Sequence, residues 1–383
     1  MTSFFGSGFD FTMSFFSYLI PFLFVLAIVI FIHEMGHFLV GRWFGVRVET
    51  FSLGFGPRIW SRYDRQGTEW AISAIPLGGY VKFKGDADAS SKPDHEAAAQ
   101  MAEEDRRDSF PHQAVYKRAA IVAAGPLANF LLAFVIFAVS FMVVGRTMVQ
   151  PIIAGIGEKS PAAAAGFKPG DRVLSINGDN MESFDEVSRF ILLSDGQPLK
   201  FLIQRGQSEL EISATPVFMT NKSKLGTERR PVMGFIGSAA PEHRFNRRFG
   251  PIEASSTAAE QIYFVIDRTV HYIRGLIAGR EKADQLSGPL RIGYISGEVA
   301  ASGLGPLLML AGILSISIGF INLLPIPMLD GGHLVFYAAE ALRGRPISPR
   351  AQEWSFRVGF ALVLGLMLFS TWNDILHLTG LAL

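Results

Sequence analysis

Four stretches of the 383-residue chain are long and apolar enough to cross a lipid bilayer, and they constrain its fold more than any other feature. They run over about Phe15–Val40, Ala119–Val144, Leu304–Leu324 and Val358–Trp372. Hydrocarbon offers no partner for backbone polar groups, so each stretch is expected as a helix. A hydrophobic share of 49% suits a membrane protein that also carries water-facing parts. The net charge of +1 gives no signal for nucleic acid, and no nucleic-acid partner is expected. With no cysteine in the chain, disulfides are excluded, and a transition metal must be held by His, Asp or Glu.

Charge sets the expected orientation. The first Lys or Arg is Arg42, and twelve such residues lie between there and Arg118. Arg343, Arg345 and Arg350 sit between spans three and four, and none follows Trp372. The positive-inside rule puts these two loops in the cytoplasm and both termini outside. The long segment between spans two and three then falls outside as well. The first span is not expected to be a cleaved signal peptide, since no basic residue precedes it and no small-residue cleavage site follows.

Composition divides the chain further. Residues 1–48 hold the N-terminus and first span. Residues 49–118 form a cytoplasmic-side loop that opens with TFSLGFGPRIWSRYDRQGTEWAISAIPLGGYVKFKG. Aromatic and β-branched residues flank a turn at Asp64–Gly67, which reads as a β-hairpin, unusually apolar and therefore membrane-associated. Residues 86–108, rich in Asp, Ser, Ala and Glu, are expected to be mobile. Residues 119–145 are the second span. Residues 150–217 mix strands and Gly/Pro turns with one amphipathic helix at Phe184–Leu193. In 218–303, residues 218–250 read as connector and about 252–280 as an amphipathic helix. Residues 304–338 hold the third span and the motif after it, and 339–383 the last loop and fourth span.

Inside the first span lies HEMGH, and polar groups there need a reason. Each ionisable group at membrane depth costs on the order of 3 kcal/mol. On a helix, His33 and His37 fall on one face, one turn apart. Neutral imidazoles suit zinc, and Glu34 between them can serve as general base toward a metal-activated water. The plainer reading is two helix-packing histidines and a paired glutamate. A third ligand must come from elsewhere, and Asp330 in NLLPIPMLDGGH is the candidate. Pro325 and Pro327 must break the helix there, and broken backbone at membrane depth is tolerated only beside protein or a cavity. Alternatively, Asp330 merely caps the following helix. His333 competes for the ligand role and is read as a supporting or structural residue. His95, His112, His243, His271 and His377 show no ligand spacing.

Two resemblances add to this. SPAAAAGFKPGDRVLSING, Ser160–Gly178, followed by the helix and closing strands, resembles a PDZ domain of the circularly permuted bacterial kind. HEMGH, the AAGPLANF run in span two, that PDZ and NLLPIPMLDGGH together resemble the site-2 protease family of intramembrane zinc metalloproteases, of the bacterial regulator-of-sigma-E protease type. The resemblance implies zinc on His33, His37 and Asp330, with Glu34 as base. It also implies that Asn322 and Pro325 help hold substrate. The apolar hairpin is similar to the family's membrane re-entrant β-loop, which would hold an unwound substrate by strand addition. The resemblance further implies the bacterial inner membrane. Its substrates would be single-span membrane proteins such as anti-sigma factors already trimmed outside, or remnant signal peptides. The PDZ would bind substrate C-termini or act as a size filter. One PDZ is visible where well-known members carry two.

The expected architecture is thus a polytopic α-helical membrane protein with four transmembrane helices, a cytoplasmic-side membrane-associated β-hairpin and an inserted extracytoplasmic PDZ domain (β-rich α+β). With Arg42 at the cytoplasmic edge, His37 lies about 8 Å and His33 about 14 Å inward. The rival readings are a zinc transporter or sensor using the same cluster, and a catalytically silent PDZ scaffold.

Overall fold

A computed structural model describes residues 2–86, 100–194, 196–223, 226–279 and 288–378. In chain order its elements are α1 (Thr2–Trp43), β1 (Val48–Tyr63), β2 (Glu69–Phe83), α2 (Glu103–Arg106), α3 (Val115–Val143), β3 (Arg146–Val149) and β4 (Ile153–Ile156). Next come α4 (Pro161–Ala164), β5 (Arg172–Ile176), β6 (Asp179–Asn180), α5 (Phe184–Leu193), β7 (Leu199–Arg205), β8 (Ser208–Ala214), β9 (Val217–Ser223) and β10 (Gly226–Val232). The chain ends with β11 (Phe235–Gly237), β12 (Arg244–Arg247), α6 (Pro251–Ile277), α7 (Pro289–Ala301), α8 (Leu304–Asn322), α9 (Asp330–Arg343) and α10 (Pro349–Leu378). The described residues fall in two compact units. One lies within Met1–Ser140, Ala254–His271 and Ala283–Leu383, the other within Phe141–Glu253 and Tyr272–Lys282.

In the first unit, Phe16–Trp43, Val115–Val143, Leu304–Asn322 and Pro349–Leu376 are long and apolar enough to cross a membrane. The fourth exceeds its expected bounds at both ends, because the polar residues Arg350–Arg357 continue the helix without adding hydropathy. Small residues let the helices approach closely. A Cβ on Gly36 of α1 would stand 2.3 Å from the carbonyl oxygen of Ala124 in α3. On α8, a Cβ at Gly312 would meet the Phe137 ring of α3 at 2.8 Å. α7 packs on α1, where the Tyr18 hydroxyl donates to Glu298 at 3.2 Å. From α10, the buried Asp374 carboxylate accepts the Gly288 and Arg291 N–H groups at 2.9 and 3.0 Å, capping α7 from another helix.

The expected hairpin is more than a hairpin. Arg58–Tyr63 pairs with Glu69–Ser73 around the turn, as the sequence suggests. Thr50–Leu53, however, pairs twice, with Gly79–Lys82 on one side and Glu69–Ile72 on the other. Two long bent strands therefore make a four-segment sheet, ordered 79–83, 48–55, 69–73, 58–63. Gly54 and Gly56, at φ of 91° and 85°, supply the bend in β1. Phe51, Val81 and Phe83 bury against Phe38 of α1 and Ile121 of α3. At the turn, the Asp64 carboxylate accepts the N–H groups of Gln66 and Thr68 and pairs with Arg42.

Of the stretch 86–108, expected to be mobile, residues 87–99 lie outside the described residues. Lys84 bonds Asp105 and Asp108, the Arg47 N–H donates to the Asp108 carbonyl, and Phe110 is buried against Phe83.

In the second unit a sheet ordered β6-β5-β7-β8 buries Val173, Ile176, Phe201 and Ile203 against Val187 and Ile191 of α5. That helix opens with a capping box between Ser183 and Glu186. Residues 218–250, expected as connector, hold β10, β11, β12 and most of β9. β11 pairs with β4, β12 pairs with β3, and Met233 joins the core. β11 and β12 are only three and four residues long. Their partners lie some 80–100 residues earlier in the chain, and local pattern carries no trace of that.

Candidate metal centre

The centre is built where α1, α3 and the start of α9 meet. α1 presents His33 and His37 on one face, with the rings 4.9 Å apart between centroids. Asp330 arrives from the far end of the chain. α8 stops at Asn322, and seven residues containing Pro325 and Pro327 cross before α9 begins at Asp330. Met328 there adopts φ of 84°, a conformation non-glycine residues rarely take. The turn is tight: a Cβ on Gly331 would lie 2.2 Å from the Leu324 carbonyl oxygen, and one on Gly332 would lie 2.4 Å from that of Ile326. Glycine is therefore required to swing Asp330 inward.

The capping alternative fails. Asp330 is the first residue of α9 rather than its cap, and no side-chain capping bond is made there. Instead its Oδ2 lies 3.2 Å from His33 Nε2 and its Oδ1 lies 3.6 Å from His37 Nε2. The two Nε2 atoms are 3.3 Å apart, and one donor atom from each residue falls within 4.8 Å of the others. His333 does not join them. It is buried among Phe336, Tyr337 and Phe356, which makes it structural. His112 bonds Ser109, and His243, in the second unit, bonds Ser238. Asn322 is half-buried and Pro325 exposed on the broken segment, and neither hydrogen-bonds the cluster among the described residues.

Glu34 is buried beside the histidines. The backbone N–H of Val81 donates to its carboxylate, and a Cβ on Gly79 would lie 3.1 Å from its Cγ. The outer edge of the sheet thus runs past the Glu34 side chain.

The helix α3 contributes what motif reading missed. Ile121, Gly125 and Asn129, spaced at i, i+4 and i+8, form one face over the histidines. His37 Nδ1–H donates to the Ile121 carbonyl at 2.8 Å. The Asn129 amide lies 3.2 Å from His33 Nδ1. Between them, a Cβ on Gly125 would sit 2.3 Å from His37 Nε2 and 3.0 Å from His33 Cε1. An asparagine buried in an otherwise apolar span was the available signal, since an unpaired amide in hydrocarbon is costly.

These residues fit a zinc ion. Donation from Nδ1 leaves His37 Nε2 as a lone-pair donor aimed into the cluster. Asp330 Oδ2 is buried and has no hydrogen-bond partner among the described residues. Acceptor atoms this close repel one another unless a cation lies between them. Two imidazole nitrogens and a carboxylate oxygen are the three protein donors of a zinc enzyme's site. With no side chain, Gly125 lets α3 lie directly against both imidazoles.

The model of peptidase family M50 matches residues 21–366. The chain belongs to peptidase family M50. Curated relatives agree over nearly their whole length. The Agrobacterium fabrum protein Atu1380, provisionally named a zinc metalloprotease, is 46% identical over 366 residues, covering 95% of this chain and 97% of its own. R01501 of Rhizobium meliloti, named in the same way, is 46% identical over 95% of this chain and 98% of its own. Metalloprotease MmpA of Caulobacter vibrioides is 38% identical over 93% and 95%. Among solved structures, PDZ domains of SdrC-like proteins from Listeria innocua and Listeria monocytogenes are 21% and 20% identical. They cover 24% and 22% of this M50 metallopeptidase and 99% and 84% of their own chains, with TM-scores of 0.20 and 0.19.

Proposed function

We propose that this M50 peptidase is an intramembrane zinc endopeptidase that cuts a peptide bond within or near the span of single-span membrane proteins. The observation that carries the reading is the convergence of His33, His37 and Asp330 on one point, with the two histidines inside a helix long and apolar enough to cross a membrane. His33, His37 and Asp330 hold the zinc, which when bound supplies the Lewis acid that polarises a carbonyl and acidifies water. Glu34 takes the proton from water and passes it to the leaving amide nitrogen. Asn322, at the end of α8, and Pro325, on the broken segment leading to Asp330, meet the substrate. Charge bias favours an orientation that puts the site in the cytoplasmic leaflet of the bacterial inner membrane, so one product leaves to the cytoplasm. Anti-sigma-factor-like proteins and remnant signal peptides are the substrate classes. The second unit serves as an extracytoplasmic PDZ that binds substrate C-termini or excludes bulky outer domains.

A helical substrate hides its peptide bonds, and the sheet edge at Gly79–Phe83 offers a way to hold it extended. The Val81 N–H already reaches Glu34 from this edge. Exposed Phe55, Ile59, Trp60, Tyr63, Ile72 and Ile75 suit a sheet dipping into lipid. Because the chain has no cysteine, Lys82→Cys gives a clean probe. Cross-links should form with alternate substrate positions, and equal yields at every position would rule out strand addition.

The function is tested by reconstituting the enzyme in vesicles with a single-span reporter and weighing the products. The expected cut lies inside the span or at its cytoplasmic edge, stops with a chelator and returns with zinc. A cut confined to a water-exposed loop would overturn the reading.

A further inference from the structure

The histidine His33 has a partner whose chemistry is only half used. Asn129 is fully buried in α3, with its Nδ2 at 3.2 Å from His33 Nδ1 and its Oδ1 unpartnered among the described residues. It is also held firmly. Its backbone carbonyl accepts the Ser315 hydroxyl of α8 at 2.8 Å, and Gly319 leaves only 3.1 Å for a Cβ against Asn129 Cβ. α8 therefore presses Asn129 toward α1.

An imidazole that gives its Nε2 lone pair to a cation carries its proton on Nδ1, which then needs an acceptor. For His37 the Ile121 carbonyl is that acceptor. For His33 the only side chain bonded at Nδ1 among the described residues is Asn129. An amide donor facing Nδ1 would force the proton onto Nε2, the atom that points at Asp330 and His37. Half a turn of the amide exchanges its two ends in nearly the same volume. Oδ1 then accepts from Nδ1–H, and the unpartnered oxygen gains its donor.

We propose that Asn129 is a positioning residue for the metal: its amide oxygen accepts the His33 Nδ1 proton, fixing the tautomer and ring direction that make His33 Nε2 a ligand. This rests on the reading of His33 as a zinc ligand. Outer partners of metal-bound histidines typically set affinity by 10–100-fold.

The test compares Asn129→Leu and Asn129→Asp for zinc dissociation constants, measured by chelator competition on the full-length protein in detergent, with thermal unfolding of the metal-free forms. Leu keeps the volume and removes the acceptor, whereas Asp keeps only acceptors. The positioning role expects Leu to weaken zinc about 10–100-fold with unfolding unchanged or raised, and Asp to bind within about threefold of wild type or tighter. A packing role expects the reverse order, with Leu harmless and the buried Asp harmful to both zinc and folding. Leu binding zinc like wild type overturns the proposal. The Leu comparison stands alone if the Asp variant does not fold, since an apolar side chain suits an apolar helix. His33→Ala separates this from the underlying reading: if it leaves zinc affinity unchanged, His33 is not a ligand and the ligand assignment itself fails.

Discussion

Gly125→Ala adds one methyl group at the centre of the site. The helix tolerates it, because alanine is favoured over glycine there by about 1 kcal/mol. The site does not. The new carbon would stand 2.3 Å from His37 Nε2, while ordinary non-bonded separations are about 3.5 Å, so His37 must retreat by roughly 1.2 Å. α3 cannot easily back away instead, because α8 holds it from another side, with the Ser315 hydroxyl on the Asn129 carbonyl and Gly312 against Phe137. Metal–ligand distances tolerate only about 0.2 Å. Disturbing an outer partner costs 10–100-fold in affinity, so displacing a ligand should cost at least about 100-fold, or about 2.7 kcal/mol. Zinc affinity by chelator competition, with metal-free thermal unfolding alongside, measures both sides of this. The expected result is a protein that folds as well as wild type and loses zinc. Gly365→Ala, in α10 with open space around it, is the control and should change neither. Zinc binding by Gly125→Ala within about threefold of wild type would refute the placement of α3 over the histidines.

Two further outcomes are expected. Asp374→Ala strands the Gly288 and Arg291 N–H groups, each at about 1–3 kcal/mol, and should lower stability by roughly 2–4 kcal/mol in thermal or denaturant unfolding. A loss under about 0.5 kcal/mol would remove the capping role, and Asp374→Asn, which keeps one acceptor, should lose less. At the sheet turn, burial alone would raise the Asp64 carboxyl, but hydrogen bonds from Arg42, Thr68, Trp70 and Gln66 outweigh it and hold it at about 2. Its folded value lies below the unfolded one, so its stabilisation is present above about pH 4 and fades as pH falls through about 2. With the side chain 25% exposed, that amounts to roughly 1–2 kcal/mol. Melting temperatures of wild type and Asp64→Asn should therefore differ at pH 5 and converge toward pH 2, and a constant gap would contradict this.

What the sequence revealed divides by the range of the interaction. Hydropathy is local, so the four apolar helices could be read from it, and HEMGH needs only helix periodicity to put His33 and His37 together. Asp330 was legible because two prolines and an acid at the end of a long apolar segment need an explanation. The supporting shell was not. Ile121 acts through its backbone carbonyl, which no side-chain pattern reveals. Gly125 acts through an absent side chain, and Asn129 reads only as a costly polar residue until α1 lies beside it. The sheet edge at Val81 and the strands β11 and β12 likewise depend on pairing across long sequence separations, where local propensity is silent.

The central claim is that these residues hold a zinc ion for chemistry rather than for structure or transport, and Glu34→Gln tests it most directly. Glutamine keeps an oxygen to accept the Val81 N–H and leaves His33, His37 and Asp330 untouched, so the geometry survives while the base is lost. Zinc content and cleavage of a single-span reporter are measured on the same preparation. The expected result is wild-type zinc with cleavage reduced by about 10²–10⁴-fold. Cleavage within about threefold of wild type at full zinc occupancy would contradict the account.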